Sequence, residues 1–160
     1  MNQGWKSRLR QSGAFACCVA ALGLAAPAMA EDVIYTVVDG VGIPEPLSQM
    51  QANPDRGGVI YLDPKRGDCR ACHQTASLPA RSAEDAPIGP DLDGVAGRYS
   101  AAELRLLVAN PRIRRPDSAM PAYFNVSAEI AASHPEAPQP VLTAREVEDV
   151  VAFLQTLTDE

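Results

Sequence analysis

Two cysteines and a histidine stand close together in the segment Cys69-Arg70-Ala71-Cys72-His73. Two thiols three positions apart, with an imidazole directly after the second, form the attachment motif for c-type haem. The thiols can form thioether bonds with the two vinyl groups of the porphyrin, which brings the next side chain under the iron. We therefore expect one covalently bound haem c, held by Cys69 and Cys72, with His73 as the proximal iron ligand.

Two other kinds of site use a Cys-x-x-Cys pair, a zinc site and a redox dithiol. A structural zinc site needs four ligands, and beyond the first 30 residues His134 is the only further Cys or His in the chain. A thioredoxin-like dithiol would require strands alternating with helices around the motif, and the sequence shows no such alternation. The haem prediction is favoured over both.

Three helices are predicted to position the motif. The first spans residues 53–62, with Asn53 as N-cap and Pro54 at the first helical position. The other two start at the capping boxes of residues 100–103 (SAAE) and 143–146 (TARE), and the last has a clear apolar face. Residues 74–97 and 111–142 are predicted to be irregular, and alternating side chains at 33–38 suggest a short strand.

This order of elements resembles the class I cytochrome c fold. We predict a mainly α domain over residues 53–160, preceded by an extended N-terminal arm over residues 31–52. In the family, a small residue of the first helix meets an aromatic residue of the last where the two helices cross. Gly57 or Gly58 and Phe153 match those positions, although Phe153 could equally be an ordinary core residue.

The other face of the iron needs a sixth ligand, and Met50, Met120 and His134 are the candidates. Met120 precedes Pro121 in a loop before the last helix, the context in which class I cytochromes place their axial methionine. We predict Met120. With both axial ligands from the protein the iron would carry electrons and bind no substrate, so no catalytic residue is expected in this chain.

Two further residues are predicted to support the haem. Gly89-Pro90 resembles a Gly-Pro pair of the family, in which the proline carbonyl accepts the hydrogen bond of the proximal histidine Nδ1–H. Arg98 could bind a haem propionate. The alternative for Arg98 is a solvated surface charge.

The first 30 residues are predicted to be a Sec signal peptide. Lys6, Arg8 and Arg10 precede an apolar run at 14–24, and Ala-Met-Ala at 28–30 is a cleavage site. The apolar run is short for a membrane span, and the context of Cys17 and Cys18 is poor for lipidation. We expect cleavage after Ala30, a periplasmic protein and no membrane anchor.

Acidic residues outnumber basic ones in the chain, 20 to 14, and three of the basic residues lie in the predicted signal peptide. An excess of negative charge repels the phosphate backbone, so we expect no nucleic-acid partner.

A more specific resemblance covers nearly the whole predicted mature chain. It is carried by residues 35–47 (YTVVDGVGIPEPL), 67–73 (GDCRACH), 89–99 (GPDLDGVAGRY), 120–123 (MPAY) and 142–157 (LTAREVEDVVAFLQTL). Together these segments resemble the SoxX family, the smaller mono-haem cytochrome subunits of bacterial SoxAX complexes. The haem motif is shared by all c-type cytochromes, whereas the arm and the C-terminal pattern make the resemblance specific.

The resemblance implies a heterodimer with a SoxA-type subunit that carries the catalytic haem. Such a complex is an L-cysteine S-thiosulfotransferase, which joins thiosulfate oxidatively to a cysteine of a SoxYZ-type carrier protein. This chain would receive the electrons and pass them to a soluble cytochrome c, and its arm at 31–52 would dock the partner. The alternative is a free-standing periplasmic electron-shuttle cytochrome c.

Overall fold

The computed structural model describes residues 35–78, 88–124 and 140–159. The chain divides into two units, residues 1–30 and residues 31–160, and the description below concerns the second. The predicted signal peptide with its cleavage site, and His134, lie outside the described residues. In the described ranges we find no helix that could span a lipid bilayer.

The regular elements of the described residues are helices, which confirms the mainly α prediction. They are α1 (Pro54–Leu62), α2 (Val95–Arg98), α3 (Ala101–Ala109) and α4 (Ala144–Leu154), with 3-10 turns at Cys69–Ala71 and Pro111–Ile113. The short helix α2 was not predicted. The strand expected at 33–38 is wrong over its described part, because only an isolated bridge joins Val38 and Gly42 there.

Side-chain caps fix where the three longer helices begin, as predicted. The Asn53 side chain accepts a hydrogen bond from the Arg56 backbone N–H at 3.0 Å. Ser100 with Glu103, and Thr143 with Glu146, form complete capping boxes at the starts of α3 and α4. Each cap satisfies backbone donors that the first helical turn leaves free.

The contact between α1 and α4 is the most extensive between helices in the described residues. It depends on Gly57, where an added Cβ would lie 2.0 Å from the Asp149 carbonyl oxygen and 2.7 Å from the Phe153 Cβ. One turn further along α1, the Tyr61 ring packs on the Phe153 ring with centroids 5.4 Å apart. The predicted approach of a glycine to Phe153 is therefore present, and Gly57 makes it.

Part of the N-terminal arm belongs to the domain core. Ile43 and Leu47 are fully buried. The Ile43 N–H donates to the Ala102 carbonyl at 3.0 Å, and the Leu47 N–H donates to the Glu148 carboxylate at 2.8 Å. Glu148 also forms a buried ion pair with Arg105 at 2.7 Å, and Arg105 donates to the Ile43 carbonyl at 2.6 Å. This buried pair, the arm clamp, fastens the arm to α3 and α4.

We expect Gly57→Ala to destabilise the protein by about 1–3 kcal/mol, the usual range for overpacking, since the new methyl group would collide with backbone atoms of α4. Gly58→Ala is the matched control, because its Cβ would lie 3.5 Å from the Phe153 ring, an ordinary contact. That variant should be neutral or stabilising by about 0.5–1 kcal/mol from helix propensity. Urea unfolding followed by circular dichroism measures both. Equal stabilities would contradict the close approach at Gly57.

Candidate haem-binding site

A single tight turn carries both cysteines and the histidine. It starts at Asp68, which has a φ of 44°, and the N–H groups of Cys72 and His73 both donate to the Cys69 carbonyl, at 3.1 and 2.9 Å. Gly67 lets the turn lie against α1, since an added Cβ would be 2.6 Å from the Ile60 carbonyl oxygen. The haem motif is thereby packed against α1.

The imidazole of His73 is held by the segment predicted to hold it. The Nδ1 atom lies 2.8 Å from the Pro90 carbonyl oxygen. A carbonyl oxygen only accepts, so Nδ1 carries the proton and the Nε2 lone pair is free for a metal. Gly89 lies flat against the ring, where an added Cβ would be 2.4 Å from Cε1. The expected contact between His73 and Pro90 is present.

Cys69 and Cys72 are free thiols and both are partly buried. Burial raises the pKa of the Cys69 thiol to about 12, with smaller contributions from charge at Asp68 and Cys72. Two free thiols three positions apart can attach the porphyrin, and an imidazole with an available Nε2 can bind its iron, which are the groups that c-type haem requires. The residues therefore fit the group: Cys69 and Cys72 would hold the porphyrin, and His73 would bind the iron.

Tyr61 supports the histidine from the core side and was not predicted as a site residue. Its hydroxyl donates to the His73 carbonyl at 2.9 Å, while its ring packs on Phe153. Burial, with smaller contributions from charge at Cys69 and Asp91, raises the pKa of this hydroxyl, so it stays a donor at neutral pH. The available signal was an aromatic residue one helical turn after Gly57, which places both on one face of α1.

Met120 lies half-buried between the turn after α3 and a segment bonded to that helix. The Tyr123 N–H donates to the Val108 carbonyl at 3.4 Å, and the Phe124 N–H to the Ala109 carbonyl at 3.0 Å. Burial raises the pKa of the Tyr123 hydroxyl. The two backbone hydrogen bonds hold the segment after Met120 against α3.

The other two candidates for the sixth ligand are placed differently. Met50 is 55% exposed and precedes α1 on the arm. His134 lies outside the described residues. Met120 as the sixth ligand stays a prediction, with its half-buried position in its favour.

Arg98 is exposed and its guanidinium is used within its own loop. One nitrogen donates to the Asp91 carbonyl at 2.9 Å and another donates to the Asp93 carbonyl. Arg98 therefore fastens the loop that follows Pro90, and is more than a solvated charge. Its predicted contact with a haem propionate stays a prediction.

In the described parts of the chain, no group of three or more His, Cys, Asp and Glu side chains is arranged to hold a metal ion. The haem prediction is instead supported by comparison with known proteins. The family model for cytochrome c matches residues 55–158. That match favours haem over the zinc and dithiol alternatives. A search of curated proteins found no match.

A solved structure is also similar. A chain of the crystal structure of SoxXA from P. pantotrophus shares 32% sequence identity with this chain and superposes with a TM-score of 0.66. The likeness covers 78% of this chain and 95% of that one. Together with the family match it confirms the predicted class I cytochrome c fold. The chain belongs to the cytochrome c family, whose members bind haem c covalently, and is a SoxX-type cytochrome.

Proposed function

We propose that this chain is the electron-transfer subunit of a SoxAX-type complex, an L-cysteine S-thiosulfotransferase that conjugates thiosulfate to a cysteine of a SoxYZ-type carrier. The catalytic haem belongs to the SoxA-type partner, and a soluble cytochrome c accepts the electrons. The likeness to a SoxXA chain over 95% of that chain carries this proposal. The protein works in the periplasm after loss of residues 1–30.

Its site suits a carrier of electrons. A single haem c would be held by Cys69 and Cys72, and His73 and Met120 would bind its iron. When bound, the haem supplies an iron that takes up and releases one electron. The four cysteines are these two and the two of the signal peptide, so no thiol remains in the mature chain to ligate a second iron or to carry sulfur.

The proposed complex is tested by adding thiosulfate to this chain alone, and to this chain with a SoxA-type subunit and its carrier protein. We expect reduction of this chain's haem, read from its ferrous absorption bands, only in the complete mixture. Purification from the native host should yield a second haem subunit with it. Two results together would favour the free-standing shuttle. The protein would be isolated as a monomer, and thiosulfate would not reduce its haem in the complete mixture.

Met120→Leu should remove the weak sulfur-to-iron absorption band at the red edge of the ferric spectrum, because leucine offers no lone pair to the iron. We also expect a lower reduction potential, since the thioether favours ferrous iron. Met50→Leu is the matched control and should leave both unchanged, given its exposed position on the arm. Retention of the band in Met120→Leu would exclude Met120 as ligand.

The arm divides into an anchored base and an exposed tip, residues 38–41. At the tip, Asp39 and Gly40 have φ angles of 54° and 67°, and the Val38 N–H donates to the Gly42 carbonyl at 2.9 Å. Val38 and Val41 are 46% and 42% exposed on either side of this turn. Because the arm clamp fixes the base, the two valines stand at defined positions. We propose that they dock the SoxA-type partner.

One observation favours the free-standing shuttle. Burial of Ile43 and Leu47 in the chain's own core accounts for part of the apolar character of the arm without any partner. The two proposed functions therefore make different predictions for the tip of the arm and not for the whole of residues 31–52.

Replacing both tip valines, Val38→Lys with Val41→Lys, should weaken binding of the SoxA-type subunit by about tenfold or more, because each apolar side chain lost from an interface costs on the order of 1.5 kcal/mol or more. Val59→Lys is the matched control, a valine on α1 that is 67% exposed. Calorimetric titration gives both affinities. Unchanged affinity in the double variant would place the interface elsewhere.

A further inference from the structure

The imidazole of His73 lies between two chain segments that are bonded to each other. Residues 72–76 begin in the haem turn and include His73 itself, and residues 89–93 contain Pro90, whose carbonyl accepts the hydrogen bond from His73 Nδ1–H. The Gly89 N–H donates to the Cys72 carbonyl at 2.8 Å, and the Leu92 N–H donates to the Gln74 carbonyl at 2.9 Å. These two bonds lie on either side of the contact between His73 Nδ1 and the Pro90 carbonyl.

The carboxylate of Asp93 joins the same two segments at their far end. It accepts from the hydroxyl of Thr75 at 2.6 Å and from the Ala76 N–H at 2.9 Å. Thr75 is buried, so its hydroxyl depends on this partner. These two hydrogen bonds lower the pKa of Asp93, which keeps its charge at neutral pH.

Asp93 also makes hydrogen bonds that hold the segment of residues 89–93 from its other side. Its N–H donates to the Asp91 carboxylate at 2.7 Å, and its carbonyl accepts from Arg98. A displacement of Asp93 would therefore also shift the backbone at Pro90, which lies three residues earlier.

We propose that Asp93 is a positioning residue for the proximal histidine. Its hydrogen bonds with Thr75 and Ala76 hold the two segments together. They thereby keep the Pro90 carbonyl in contact with His73 Nδ1 and influence the reduction potential of the haem. The inference rests on His73 being the iron ligand. A firm Nδ1–H hydrogen bond raises the basicity of the imidazole and favours ferric iron. Loosening it should raise the midpoint potential and free the Nδ1 proton to exchange.

Removal of a negative charge near the haem would also raise the potential, so the variants must separate charge from position. Asp93→Asn removes the charge and keeps an oxygen for Thr75 and Ala76. Asp93→Ala removes both. Thr75→Val keeps the charge and removes one hydrogen bond. Asp91→Asn is the charge control, since its carboxylate bonds to Asp93 and not to the 72–76 segment.

The measurements are the midpoint potential and the exchange rate of the His73 Nδ1 proton, observed by NMR in the ferrous holoprotein. In Thr75→Val and Asp93→Ala we expect a raised potential and exchange about tenfold faster, the scale set by one lost hydrogen bond. Asp93→Asn and Asp91→Asn should share a charge-dependent rise in potential and keep near-native exchange.

Native exchange in both Thr75→Val and Asp93→Ala would overturn the proposal and assign Asp93 a charge effect only. Such a result would leave the proposed function intact, provided that the parent protein shows covalent haem and a resonance from a ligated His73. Absence of that haem or ligation in the parent protein would instead refute the proposed function.

Discussion

The close approach of α1 and α4 at Gly57 is the constraint on which the rest of the domain depends. Only a residue without a side chain fits where an added Cβ would lie 2.0 Å from the Asp149 carbonyl oxygen. The contact brings Tyr61 onto Phe153 and turns its hydroxyl toward the haem motif. Packing inside the core and the placement of the site are therefore consequences of one helix crossing.

Two consecutive acidic residues of α4, Glu148 and Asp149, bind the chain segments that lie next to this crossing. Asp149 pairs with Arg56 at 2.8 Å and accepts the Asn53 N–H at 2.7 Å, so it also secures the start of α1. Glu148 pairs with Arg105 and accepts the Leu47 N–H, which secures the arm. Buried carboxylates are stable only when such donors satisfy them. Because both have their donors, one helix fixes the first helix and the arm together.

At the haem motif, hydrogen bonds likewise hold His73 from two directions. The Tyr61 hydroxyl holds the His73 carbonyl from the core, and the Pro90 carbonyl accepts the Nδ1–H hydrogen bond from the opposite loop. Orientation and tautomer are thus set by the protein before the iron is considered. If His73 binds the haem iron as proposed, a ligand fixed in this way would need little rearrangement when the iron changes its oxidation state, which would suit an electron carrier.

The sequence alone determined what is local, which is the haem motif and the helix starts at Asn53, Ser100 and Thr143. These features depend on residue spacing and on hydrogen bonds that close within three or four residues. The contact of His73 with Pro90 spans 17 residues and was predicted only from the family resemblance. The tertiary structure decided what joins distant residues. Examples are the arm clamp of Arg105 and Glu148, Tyr61 behind His73, and Thr75 with Asp93.

The two wrong or missing secondary-structure predictions also concern contacts between residues rather than local patterns. Alternating side chains at 33–38 predicted a strand, but a strand needs a neighbouring strand, and in the described part of the arm the β-bridge pairing is limited to the arm's own turn at Val38 and Gly42. Helix α2 is one turn long and follows Gly94, whose φ of 66° allows the sharp entry. Its N–H at Ala96 donates to the Leu157 carbonyl, a contact with the far end of the chain. Pairings of this kind arise only once packed helices set the orientation of their side chains, which no short stretch of sequence encodes.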